Sequence, residues 1–322
     1  MVQIDTTDLI ERLRARNVRS IAVQLPAGLR RQAFDLVQAL RTEGFDVILS
    51  GDPCYGACDL DQDVMQLADV LVHIGHAPIS ENPSVLFVPV SWDFDVQALA
   101  RVVPLLHAQK IGVVTTVQHV HLLDEVVTFF GTFGIEAVVA EGSGRAPLRG
   151  QILGCCFDAA RNTGADEILF VGTGLFHPLG IRLATGARTI AFDPFTGAAT
   201  VVDTERLLRR RAVYIEQARQ AARIGIIVSA KSGQQRLSLA RRLAAQSARA
   251  VLILMTEVSP DELLNFGMDC YVNTACPRLA FDDQDRFPVP LVTPQEYEIA
   301  LGIRSWEEYR FDEFCGDEAP AA

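Results

Sequence analysis

The sequence predicts an α/β protein of three similar small domains, each a mainly parallel four-stranded sheet flanked by helices. Three observations carry this reading. Short Val/Ile/Leu runs alternate with segments of helical period, as expected of strands buried on both faces of a parallel sheet. The runs fall into three sets of four. Each set opens alike, on Ile21-Ala22-Val23-Gln24-Leu25, Ile111-Gly112-Val113-Val114-Thr115 and Ile224-Gly225-Ile226-Ile227-Val228.

The first set of strands is predicted at residues 20–25, 46–49, 70–74 and 85–88. The second lies at 111–114, 135–139, 168–171 and 189–192, and the third at 224–228, 250–254, 270–273 and 289–292. Every opening strand runs into a polar turn and then an amphipathic helix, at 29–40, 121–130 and 235–246. The openings stand 90 and 113 residues apart, too far for a solenoid repeat and close to the size of a small domain. The predicted domains are therefore 1–104, 105–215 and 216–322, with the charged helical stretch 204–223 leading from the second into the third. The acidic tail from Glu313 onward reads as disordered.

Composition narrows the function. The 322 residues carry 29 Lys+Arg against 40 Asp+Glu, a formal charge of −11, and 49% of them are hydrophobic. A disordered or fibrous chain is excluded, and a general nucleic-acid binder lacks the basic face it needs. No apolar run approaches the roughly 20 residues of a membrane span. The opening Met1-Val2-Gln3-Ile4-Asp5 has neither the basic nor the apolar region of a secretory signal, so the expected location is the cytoplasm. In that compartment seven cysteines are not a disulfide framework. Metal, cluster or catalytic use becomes the question.

Doubly wound sheets gather ligands outside the carboxyl ends of their strands. Cys58 lies beyond the second strand of the first set, Cys155 between the second and third strands of the second, and Cys276 just after the third strand of the third. Each domain thus offers one cysteine at a carboxyl edge. Three thiolates meeting at a centre suit a zinc site completed by water or His, or a [4Fe–4S] cluster with one iron open to substrate. The separations of 97 and 121 residues match no compact ligand motif. Cys54, Cys156, Cys270 and Cys315 read as structural, since Cys is among the most buried residue types. Cys156, adjacent to Cys155, is the nearest rival for the second position.

Several stretches, in order along the chain, resemble the archaeal-type enzyme family of the first step of diphthamide synthesis. They are Gln24-Leu25-Pro26-Ala27-Gly28-Leu29, Tyr55-Gly56-Ala57-Cys58, residues 150–155, Phe176-His177-Pro178-Leu179-Gly180, Asp193-Pro194-Phe195-Thr196 and Val272-Asn273-Thr274-Ala275-Cys276-Pro277-Arg278. One departure is Phe195, where the family pattern has tyrosine. The resemblance implies three similar domains around a central [4Fe–4S] cluster held by Cys58, Cys155 and Cys276. It implies a homodimer, S-adenosylmethionine as substrate, translation elongation factor 2 as protein acceptor, and an electron donor. It also implies cleavage of the sulfonium bond to the methionine γ-carbon. The resulting 3-amino-3-carboxypropyl group goes to carbon 2 of a histidine imidazole, leaving methylthioadenosine.

The remaining polar features are candidate substrate contacts. Tyr55 and Gly56 flank Cys58, and Asp193 ends a strand. Gly172-Thr173-Gly174-Leu175-Phe176-His177 follows a strand like a dinucleotide fingerprint but has His in place of the third glycine. His177 is either part of the S-adenosylmethionine pocket, as the resemblance implies, or a histidine hydrogen-bonded within a turn. Ser229, Lys231 and Gln234 sit in the turn after the first strand of the third set, suited either to a carboxylate or adenine or to a plain strand–helix turn. Two further readings stay open at this level: a quinolinate synthase-like cluster enzyme, and a non-catalytic zinc- or cluster-binding partner subunit.

Overall fold

Buried β-branched runs make the strands, and all twelve predicted ones form, with ends shifted by two residues at most. The structure is a computed structural model that describes residues 4–314. Its first sheet holds β1 (Ser20–Gln24), β2 (Asp46–Leu49), β3 (Val70–Ile74) and β4 (Val85–Val88). The second holds β5 (Lys110–Thr115), β6 (Glu136–Val138), β7 (Glu167–Val171), β8 (Arg188–Asp193) and β9 (Ala198–Val201). The third holds β10 (Ile224–Ser229), β11 (Ala250–Met255), β12 (Cys270–Asn273) and β13 (Leu291–Val292).

All three sheets have one topology. The opening strand pairs with the second and third of its set, giving the orders β2-β1-β3-β4, β6-β5-β7-β8-β9 and β11-β10-β12-β13. The pairs are parallel except β8 with β9. The repeat extends to the connection. After each opening strand a 3-10 turn (Ala27–Gln32, Val117–Leu122 or Ser232–Gln234) precedes the helix (Ala33–Thr42, Leu123–Gly131 or Leu237–Ala244).

The sequence reading placed four strands in the second sheet; the structure adds β9. It is mostly exposed, so it lacks the apolar run that betrays a buried strand. It is antiparallel because a tight turn leads into it. Asp193 Oδ1 accepts the N–H groups of Phe195 and Thr196 at 2.9 and 3.2 Å, and the Gly197 N–H reaches the Asp193 carbonyl.

The described residues gather into two compact units. One runs through Asp93 and includes Val117–His121; the other takes Phe94–Thr116 and everything from Leu122. The first unit packs Leu9, Leu13, Leu36 and Leu40 from helices against Ile21, Val23 and Val72 of its sheet. In the second unit, side chains of both sheets share a core, with Ile168 and Phe170 in the same cluster as Ile227, Tyr271 and Leu291. Burying side chains of this size contributes roughly 1.5–3 kcal/mol each. A fully buried ion pair fastens the long helix Glu205–Gln220 in this unit. Arg211 pairs with Glu296 through Nε at 2.7 Å and donates to the carbonyls of Ala280 and Leu291 at 2.7 and 2.8 Å.

Candidate functional site

Exposure divides the six described cysteines into two sets of three. Cys58, Cys155 and Cys276 are half-buried, whereas Cys54, Cys156 and Cys270 are buried. The half-buried set contributes one residue per sheet, each in a loop. Burial pushes the thiols of Cys54 and Cys270 up to about 12, which keeps them protonated. Within the doublet, Cys156 turns inward, its Sγ 3.1 Å from Ser143 Oγ, while Cys155 stays accessible. Cys315 lies outside the described residues.

In the first unit, the loop after β2 is organised by its own neighbours. The buried Asp59 accepts the Tyr55 N–H at 3.2 Å, and its N–H donates to the Gly56 carbonyl at 3.0 Å. Gln24, at the end of β1, donates from Nε2 to the Asp59 carbonyl at 2.8 Å. A Cβ on Gly56 would stand 3.4 Å from Cys58 Sγ, so any other residue there would press against that sulfur. Tyr55 points its ring outward, 70% exposed.

In the second unit the Cys155 loop begins by extending β5. The Thr115 N–H donates to the Gly150 carbonyl and the Ile152 N–H to the Thr115 carbonyl, both at 2.9 Å. Gly150 is required there, with φ +71° and only 2.5 Å between a built Cβ and Leu123. The Cys276 loop is turned by Asn273, which accepts the Ala275 N–H at 3.0 Å and donates to the Cys276 carbonyl at 2.8 Å. Arg236 braces it from below, donating to the carbonyls of Thr274 and Ala275 at 2.9 and 3.2 Å.

Both loops of this unit are fastened by residues 311–314. Asp312 accepts both arms of Arg236 at 2.8 and 2.6 Å, in a pair that is 1% and 0% exposed. The Phe314 N–H donates to the Cys155 carbonyl at 2.6 Å, and the guanidinium of Arg145 lies 4.1 Å from the Phe314 ring centre. Phe311 seats among Phe157, Phe176 and Phe281 at 5.5, 5.8 and 4.5 Å between ring centres. Glu313 accepts the Phe157 N–H at 3.3 Å and pairs with Arg161. The expectation that the tail is disordered from Glu313 is therefore corrected at Glu313 and Phe314. Residues 315–322 lie outside the described residues.

The other predicted contacts divide. His177 sits in the first turn of the helix Phe176–Thr185, half-buried and stacked on Phe170 at 5.6 Å. Desolvation, with the Arg278 guanidinium adding to it, pulls its pKa down to about 4, so the ring is neutral. Arg278 also lies over the Phe176 ring at 5.5 Å, which brings the turn after β7 beside the Cys276 loop. Gly172 is buried and donates to the Phe192 carbonyl at 3.0 Å, while Gly174 is exposed at the tip. Asp193 serves the turn into β9 described above. In the turn after β10, Ser229 Oγ accepts the Lys231 N–H at 3.2 Å, Lys231 pairs with Glu257, and the Gln234 N–H donates to the Lys231 carbonyl at 2.9 Å. Arg145 reaches the same turn by donating to the Gly233 carbonyl at 2.9 Å.

Residues 25–310 match the model of the diphthamide synthesis protein family. The chain belongs to that family. It is 38% identical to the 2-(3-amino-3-carboxypropyl)histidine synthase of Pyrococcus horikoshii, over 98% of this chain and 94% of that one. The enzyme of the same name from Methanocaldococcus jannaschii is 27% identical, over 96% and 91% of the two chains. A subunit 1 of this synthase from Homo sapiens is 29% identical, over 95% of this chain and 74% of its own length. A crystal structure of Dph2 from Pyrococcus horikoshii with a 4Fe-4S cluster superposes with a TM-score of 0.92 and 36% identity, covering 98% of this chain and 95% of that one. That Dph2 thus shares this fold along essentially the whole chain.

Sequence reasoning missed Arg145, Arg236, Asp312 and Phe314. Their partners lie far along the chain, so no local spacing marks them. One signal was present: Phe311 and Phe314 bracket two acidic residues, and a solvated tail has no use for two aromatics.

Proposed function

We propose that this family member is a [4Fe–4S]-dependent 2-(3-amino-3-carboxypropyl)histidine synthase whose cluster is held by Cys58, Cys155 and Cys276. The reading is carried by the division of the cysteines: one accessible thiol in a loop of each sheet, every other described thiol buried. Three thiolates fit the group, since they leave one iron of four for substrate. When bound, the cluster supplies the electron that cleaves the sulfonium of S-adenosylmethionine. The chain's own residues bind and orient the substrate. Gly56 avoids crowding the Cys58 sulfur beside Tyr55. The backbone of the turn Gly172–Gly174, with neutral His177, and the turn Ser229–Lys231–Gln234 hold the adenosine and methionine parts, and Asp193 supports the edge of the same sheet as Gly172.

The acceptor is a histidine imidazole carbon of translation elongation factor 2, and the enzyme works in the cytoplasm as a homodimer served by an electron donor. The repeats correspond to domains 1–104, 105–215 and 216–322. Anaerobic incubation with dithionite, S-adenosylmethionine and elongation factor 2 should yield methylthioadenosine and a modified factor. Deoxyadenosine, or no turnover from an intact cluster, overturns the assignment. Single alanine variants of Cys58, Cys155 and Cys276 should lose the brown absorbance of the cluster or render it labile.

A further inference from the structure

We propose that Cys54, His73 and His76 hold a divalent transition-metal ion of the zinc class, additional to the cluster assigned to Cys58, Cys155 and Cys276. The Sγ of Cys54 and one ring nitrogen from each histidine lie within 4.8 Å of one another in the first unit. Cys54 and His73 are buried and His76 half-buried. His73 Nε2 and His76 Nδ1 are 3.0 Å apart. A tetrahedral zinc site with ordinary bond lengths spaces its ligand atoms by roughly 3.3–3.7 Å. The nitrogens need only part slightly, and the Cys54 sulfur already lies within 4.8 Å of both.

A second observation, independent of those distances, fixes which nitrogen is offered. Gln24 donates from Nε2 to the Asp59 carbonyl at 2.8 Å, so its Oε1 must face the other way. There it meets His73 Nδ1 at 2.9 Å and accepts the Asp61 N–H at 3.4 Å. His73 therefore carries its proton on Nδ1, and its Nε2 lone pair points at His76. An imidazole oriented by a carbonyl through its second nitrogen is the usual support of a metal-bound histidine. Burial draws the two rings down to about 3 and about 4, so both are neutral at physiological pH, the form that binds metal.

Charge closes the argument. Buried cations need compensation, and two charges are at hand: the Cys54 sulfur, which gives up its proton only when it binds the ion, and the buried Asp59 carboxylate, which acts electrostatically on Cys54. With two neutral imidazoles the site sums to zero around a divalent ion. Its effect is mechanical. The ion joins the loop that carries Cys58 to the carboxyl end of β3, and a water completes the coordination.

The test uses the full chain, made in zinc-supplemented medium and purified anaerobically, with zinc, iron and sulfide measured together. The protein should carry about one zinc per chain. The Cys58→Ala/Cys155→Ala/Cys276→Ala variant should lose iron and keep that zinc, which excludes zinc lodged at the cluster cysteines. His76→Gln, half-buried and able to keep a hydrogen bond, should reduce zinc at least tenfold, as should Cys54→Ser. Cobalt added to the metal-depleted triple variant should give a thiolate-to-cobalt charge-transfer band that Cys54→Ser removes. A triple variant without stoichiometric zinc, or zinc retained by His76→Gln, overturns the proposal. Because these readouts need no turnover and no cluster, they stand or fall apart from the transferase assignment.

Discussion

The Cys58 loop and the pair of loops carrying Cys155 and Cys276 reach the same half-buried state by opposite means. Around Cys58 the chain holds itself, through Tyr55, Gly56 and Asp59 within a few residues and Gln24 on the adjoining strand. Around Cys155 and Cys276 the holding groups come from the end of the described chain, Asp312 on Arg236 and Phe314 on Cys155. A cysteine-bearing loop can thus be encoded locally or fastened from afar, and the two kinds should fail differently.

Removing residues 311–322 should have the largest effect. It withdraws the Phe311 side chain from its aromatic setting, a loss of about 3–5 kcal/mol for such a truncation, and leaves Arg236 buried without its carboxylate. Denaturant unfolding should show the second unit lost first, with iron binding abolished; a truncated chain that keeps its cluster breaks the comparison. Asp312→Ala alone should cost about 3–5 kcal/mol, because the remaining buried guanidinium is uncompensated. Asp59→Ala, the local counterpart, should cost less, about 1–3 kcal/mol for a lost buried hydrogen bond. If the two costs come out equal in urea titrations, the distinction between local and distant fastening is wrong.

Gly150→Ala follows at about 1–3 kcal/mol from overpacking against Leu123 and a left-handed backbone. It should loosen Cys155 without touching Cys58, visible as faster amide exchange at residues 150–156 only. Acidification probes the first unit instead. In the metal-depleted chain, His73 and His76 titrate near 6.5 when unfolded but have folded values of about 3 and about 4. The unfolded chain binds more protons in that window, so stability present above pH 6.5 is lost progressively toward pH 3. Thermal melts across this range should show the decline, and His73→Gln should reduce it, leaving the part due to His76. The smallest effect belongs to Cys156→Ala, about 1 kcal/mol with the cluster absorbance intact. A colourless Cys156→Ala protein would instead move the second ligand to that position.

The sequence foretold what repeats and what is buried. Ile21, Ile111 and Ile224 open strands whose apolar runs admit no other reading, and the shared strand order follows from three copies of one plan. Strand β9 escaped because exposed Ala198 and Val201 carry no such signal. Cys58, Cys155 and Cys276 were legible as one cysteine per carboxyl edge. Which of Cys155 and Cys156 turns inward was not, because side-chain direction in a loop depends on Ser143 and Phe314 rather than on spacing. Arg236 looked like any surface arginine, since nothing near it announces Asp312. His73 lies inside a strand, where only its partner Gln24 on β1 gives it meaning.

The strap at residues 311–314 also imposes an order of events on biosynthesis. It follows in the chain every residue it holds: Cys155, Arg236 and Ala275 are all made before it. Domains fold in the order they are synthesised, so the Cys58 loop can set while the rest is still being translated. The other two thiol-bearing loops gain their fastening only once Asp312 and Phe314 have been added. A chain interrupted before residue 311 therefore holds the Cys58 loop through its own local hydrogen bonds, while the Cys155 and Cys276 loops lack the contacts that Asp312 and Phe314 supply.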